Sequence, residues 1–205
     1  SVCTTATYSI APTSAMCVDV SAGAPVAGVT TDNSVSTLIA LPFAFSYFGR
    51  AMTHYSVSSN GFVQLWASAT GSPSTASSNT AMPSTSTPNG VVAPFWDDLR
   101  PNAGANVTAV VTGSAGSQRL VLQWTDWRAS SSGTESLTFQ LHLTEGTNVV
   151  ETHYCAMNAG TSGMVHTGSS ATIGLENSWG TAAAQRSHNT ASAVMTGSAF
   201  VFTPL

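Results

Sequence analysis

Asp97 and Asp98 stand side by side in the segment PFWDDL, residues 94–99. Two neighbouring carboxylates at a strand end can begin a Ca²⁺ site, which takes six to eight hard oxygen ligands. Strand alternation points adjacent side chains to opposite faces, so the pair chelates one ion only where the strand breaks. The calcium-loop spacing that would bring further ligands is missing. One Asp is therefore expected to cap a turn through backbone N–H groups while the other faces water, with Ca²⁺ as the alternative and no other cofactor implied.

Five histidines, His54, His142, His153, His166 and His188, are scattered along the chain. His142 and His153 fall on two expected strands joined by a turn at 145–148, which brings them near each other. A metal site needs a third ligand, and spacing places no Cys or carboxylate beside them. Half-buried strand histidines are the expectation. Glu135, Glu145, Glu151 and Glu176 offer no pair at period-2 spacing of the kind that points two acids into one cleft. G-x-S-x-G, H-E-x-x-H and Walker patterns are absent. Enzyme activity is not expected, and no catalytic residue is assigned.

Aromatic rings are the remaining candidates. Trp66, Trp96, Trp124, Trp127 and Trp179 suit core packing or sugar stacking. Trp124 and Trp127 have odd spacing, so they are expected on opposite faces of one strand, and Trp127 is the candidate ligand-stacking ring. The cysteines are Cys3, Cys17 and Cys155, an odd number. In an exported protein that means one bridge plus a free thiol, or a bridge to another chain. All three internal pairings stay open. A long-range bridge from Cys155 to Cys3 or Cys17, clamping the N-terminal segment to the body, is favoured.

Composition narrows the classes of function. Charged residues make up 7% of the chain, the net charge is −4, and all five basic residues are Arg. Nucleic-acid binding is not expected, because neutralising phosphates needs clustered Lys and Arg. Without Lys, Lys–Asn isopeptide staples cannot form. Ser and Thr, more than a quarter of the chain, must solvate its surface. So weakly charged a surface lets subunits pack closely with little repulsion. No apolar run is long enough to span a membrane. The start at Ser1, without an initiator Met, suggests a processed, exported protein.

The elements that carry these residues are strands. Period-2 patterns recur with turn signals every 8–12 residues: 4–10, 17–20, 35–40, 43–47, 54–58, 62–67, 90–95, 107–112, 119–127, 137–144, 149–155, 171–176 and 199–203. Ser59-Asn60-Gly61 and residues 145–148 are the clearest hairpin turns. Residues 68–89 form a long Ser/Thr/Pro-rich loop of the kind that is functional or mobile. The best helical candidate is a single turn at Thr181–Gln185. About a dozen strands predict an all-β sandwich of jelly-roll type.

The pieces LPFAFSYFG, VSSNGFVQLW, MPSTSTPNGVVAPFWDDL, LTFQLHLTEGTNVVETHY and SSATIGLEN, in this order over about residues 15–203, resemble a family of bacterial extracellular β-sandwich domains of myxobacterial type. They are more distantly similar to the nidogen-type domain of animal matrix proteins. The resemblance implies a secreted, non-catalytic domain with an adhesive or structural role at the cell surface, and it transfers no active site.

Residues 1–22 read as an N-terminal arm or strand ahead of a body at 23–205. Such an arm can leave its own domain and add a strand to a neighbour's sheet, with Ala6, Tyr8 and Ile10 filling pockets. Repeated head to tail, that contact builds an open fibre, a homopolymer of the chain. The alternatives are an ordinary first strand for the arm and, for the function, a carbohydrate-binding module of a secreted protein that takes cell-surface glycans.

Overall fold

The computed structural model describes residues 7–129 and 132–205. Among these residues thirteen strands make two sheets in which every pairing is antiparallel. The strands are β1 (Tyr8–Pro12), β2 (Ala24–Pro25), β3 (Ile39–Tyr47), β4 (Arg50–Ser58), β5 (Phe62–Trp66), β6 (Val91–Trp96) and β7 (Arg100–Thr112). They continue with β8 (Arg119–Arg128), β9 (Ser136–Thr144), β10 (Val150–Asn158), β11 (Thr172–Glu176), β12 (Ala183–His188) and β13 (Ala199–Pro204). The first sheet runs β1-β13-β10-β9-β8-β7-β2 and the second β12-β11-β6-β5-β4-β3. The expected sandwich is therefore present, each sheet built on a four-strand meander.

Alternation explains the core. Leu120, Leu122 and Trp124 of β8 and Leu137, Phe139, Leu141 and Leu143 of β9 point inward and are buried. Trp124 stacks on Phe139 at 5.2 Å, and Phe139 meets Phe95 of the second sheet at 5.6 Å. Buried polar tips tie the layers together. Trp124 Nε1 donates to the Ser58 carbonyl (3.0 Å), and the Tyr154 hydroxyl donates to the Pro94 carbonyl (2.8 Å). A hydrogen bond that crosses between sheets fixes their relative position as well as satisfying a buried donor.

β6 is buried at every position and β5 at all but Trp66. Strands covered on both faces read as unbroken apolar runs. Here the outer cover is the 68–89 loop, packed by Met82 onto a small second core of Phe62, Val91, Ala93 and Trp96. The turn between β4 and β5 sits where the Asn-Gly signal placed it. Gly61 has φ +73°, and a Cβ there would collide with the Phe95 carbonyl oxygen. Residues 145–148 turn between β9 and β10 as expected, with Asn148 at φ 55°.

Two local expectations fail. Residues 183–185 of the helical candidate belong to β12, because β11 offers them a pairing partner. The only helical element among the described residues is a 3₁₀ turn, Val165–Thr167. Residues 17–20 pair with no strand among the described residues; they cross the outside of the first sheet instead. Among the described residues no helix is long and apolar enough to cross a membrane.

Candidate functional site

Alternation in β9 and β10 sends Gln140, His142, Glu151 and His153 to the outer face of the first sheet. Outward residues ordinarily meet water, yet Gln140 and His142 are fully buried and His153 is 1% exposed. The cover is the segment after β1. A disulfide joins Cys17 to Cys155 across a Cα separation of 5.8 Å. Val18 is pinned at both ends of its peptide: its N–H donates to Gln140 Oε1 (2.9 Å), and Gln140 Nε2 donates to its carbonyl (2.7 Å). Thr13 N–H donates to the Ala199 carbonyl (3.0 Å). Residues 13–18 thus form a strap, which accounts for the favoured long-range bridge and for the missing strand at 17–20.

Under the strap, the register opposes Glu151 to His142 and His153 to Gln140. The two imidazoles stack at 4.1 Å with 22° between their planes. Gln140 sets the tautomer of His142. Val18 uses both faces of the Gln140 amide, so Oε1 is an acceptor, and His142 Nε2, 2.8 Å away, must carry the proton. Nδ1 then holds a lone pair, and Glu151 Oε2 lies 4.0 Å from it. His153 Nε2 is 3.8 Å from Glu151 Oε1. Among the described residues His142 Nδ1 is buried without a hydrogen-bond partner, and neither nitrogen of His153 makes a hydrogen bond of good geometry, the Ala15 backbone being its loose neighbour. Burial, then the charges of His153 and Arg119, push His142 down to about 2. Burial also lowers His153, although the Glu151 charge and the Ala15 backbone pull the other way. Burial therefore favours the neutral form of both rings. Arg119 reaches Glu151 Oε2 at 3.4 Å from a half-exposed position.

A groove of about 600 Å³ opens beside the 68–89 loop, lined by Gln64, Trp66, Ser74, Thr87, Asn89 and Ser178 among others. Trp66 Nε1 donates to Ser56 Oγ (3.1 Å), and Gln64 holds the loop through Ser74 N–H (2.8 Å) and the Asn89 carbonyl (3.0 Å). Trp179, next to Ser178, is 58% exposed, with the Arg50 guanidinium 5.1 Å from its ring centre. Glu176 sits buried under the loop, accepting Ser84 N–H (2.6 Å); burial raises it to about 7.

The residues singled out in the sequence divide as follows. Asp97 is buried, accepts Asp98 N–H (2.9 Å) and Ser170 Oγ (2.5 Å), and is raised by burial to about 6. Asp98 faces Arg100 at 3.8 Å, so the two carboxylates engage different partners. Trp127 is the clear correction. It is fully buried and donates to the Asn106 carbonyl (3.0 Å), so it cannot stack a ligand. A bulge at Asp126, φ 59°, restores it to the core side with Trp124. Glu145 accepts Gly116 and Gln118 N–H, and Glu135 accepts Ser162 N–H, so both brace turns. Tyr8 is buried against Phe48 (4.9 Å) and Tyr47 (5.9 Å), and Ile10 packs on the same core. Ala6 and Cys3 lie outside the described residues. Glu151 was missed as the neighbour of the His pair; its period-2 spacing to His153 and the turn register to His142 were the available signal.

An antiparallel sandwich with a disulfide-pinned strap is the class these observations define. The chain matches the family described as NIDO related over residues 7–204 and belongs to it. That membership makes it an extracellular domain of structural or adhesive type, a class not built around catalysis. No curated protein and no solved structure matches the chain.

Proposed function

We propose that the chain is the subunit of a filament on a bacterial cell surface, assembled by exchange of β1 between copies. The observation behind this reading is the place of β1. It is the edge strand of the first sheet, paired with β13 from Tyr8↔Pro204 to Pro12↔Phe200, and it precedes the covalent root at Cys17. β1, ahead of the strap, can swing out while residues 13–18 stay clamped to the body. An exchanged β1 makes the same ladder and fills the same Tyr8 pocket in a neighbour, so exchange costs little beyond association. Low surface charge removes electrostatic opposition to repeating the contact.

Light scattering and negative-stain imaging of the full chain and of a chain lacking residues 1–12 test the reading. Polymers are expected from the full chain alone. Polymers from the truncated chain, or solitary particles from the full chain at every concentration, would count against it.

Carbohydrate binding is the second reading, now moved from Trp127 to the groove at Trp66 and the exposed Trp179. A polar trough beside exposed aromatic surface suits a sugar. Tryptophan emission that shifts on glycan addition in the native chain, and not in Trp179→Ala, would favour it.

A further inference from the structure

We propose that His142, Glu151 and His153 form a binding site for one Zn²⁺ ion, enclosed by the disulfide-pinned strap. Their ligand atoms all lie within 4.8 Å of one another, drawn from two adjacent strands at facing register positions. The set is two neutral nitrogens and one carboxylate, a combination that Zn²⁺ takes with a fourth position left to solvent.

Three features favour a cation over a purely structural cluster. The first is the enforced tautomer: the Val18–Gln140–His142 chain of hydrogen bonds leaves the Nδ1 lone pair turned to a carboxylate oxygen 4.0 Å away. Two acceptors facing each other in a buried place repel, and a cation between them turns the repulsion into two bonds. The second is orphaned polarity. Among the described residues His142 Nδ1 is buried without a hydrogen-bond partner, and the His153 nitrogens, near only the Ala15 backbone and Glu151, make no hydrogen bond of good geometry, so both rings carry a desolvation cost that a bound cation offsets. The third is outer support. A ligating histidine normally donates its other N–H to a fixed acceptor, and Gln140 Oε1 serves His142 in that way.

The ligand atoms must close up, since donors around tetrahedral zinc stand about 3.3 Å apart. His142 is anchored by Gln140, so the movement falls on His153. Its nitrogens have only a loose contact with the Ala15 backbone and Glu151 Oε1 at 3.8 Å, weaker than the bond that holds His142, and its ring turns about a broad terminal torsion. That turn breaks the present stacking. A cavity of about 180 Å³ lined by Met16, Cys17, His153, Cys155 and Ser198, among others, adjoins the ring and supplies the route and the fourth position. Arg119 opposes the ion. Its guanidinium occupies Glu151 Oε2 at 3.4 Å, and it must swing outward as the metal enters.

The test uses the intact chain, stripped with a chelator and titrated with Co²⁺ and then Zn²⁺. One Co²⁺ per chain with visible d–d absorption is expected, displaced by one equivalent of Zn²⁺. His153→Asn and Glu151→Gln should each weaken binding at least tenfold. Arg119→Gln should tighten it several-fold, because it removes a competing charge and leaves all three ligands. This surface variant also decides the matter if a ligand variant fails to fold. No stoichiometric uptake in the native chain, uptake unchanged by His153→Asn, or affinity that falls in Arg119→Gln would each overturn the proposal.

Discussion

Replacing Cys17 and Cys155 together by Ser cuts a cross-link that spans 138 residues of chain. In the chain-entropy account, closing so long a loop in the unfolded state is worth about 5 kcal/mol at 25 °C, and measured losses fall at about 2–5. The strap would then hang on its hydrogen bonds to Gln140 and Ala199, each contributing only about 1 kcal/mol net. Those bonds do not offset the lost cross-link. The expected outcome is a loss of about 3–5 kcal/mol in urea unfolding, or about 10–15 °C in Tm for a chain of this size. Tryptophan fluorescence reports the transition, with Cys3→Ser in both proteins so that no third thiol exchanges. The strap should also lift locally, giving the amides of β9 and β10 faster hydrogen exchange than those of β5 and β6. A stability change below about 1 kcal/mol, with β9 and β10 equally protected, would refute the idea that the bridge holds the strap down.

Three further outcomes follow from particular side chains. Glu176 rises from 4.5 to about 7 on burial, so its favourable contribution is complete below pH 4.5 and disappears as pH climbs through 7. Glu176→Gln should therefore gain about 3 kcal/mol on the native chain between pH 4.5 and pH 8, read by urea unfolding at both; a constant difference would contradict this. Gly61→Ala should cost about 3 kcal/mol or more in the same assay, since it meets both a positive φ and the Phe95 carbonyl. Trp127→Ala should cost about 3–5 kcal/mol and leave any glycan response unchanged, because the ring is interior; an altered response with intact stability would restore it as a surface group.

How much was readable depended on whether alternation held. β9 and β10 could be read directly because Leu137 to Leu143 keep strict period 2 and the 145–148 turn separates them cleanly. Parity failed at Trp127, since the bulge at Asp126 inserts a residue that no propensity announces. Residues 17–20 have the composition of a strand but lie across a sheet face, where their bonds go to the Gln140 side chain. The polar loop at 68–89 looked free, yet Met82 and bonds from Gln64 and Glu176 fasten it. The His142–Glu151–His153 cluster was half visible. Its histidines were brought together by the hairpin, while its burial depends on a strap rooted at Cys17, far off in the sequence.

A cysteine pair set across the exchanged ladder gives the most direct test of assembly through β1. Ser9 and Thr203 are opposite partners in the β1–β13 register, and both are exposed. In a Cys3→Ser background, Ser9→Cys with Thr203→Cys should yield, on mild oxidation, a ladder of covalent oligomers on a non-reducing gel. Oxidation that closes every bridge within single chains, leaving only monomer at high protein concentration, would contradict strand exchange.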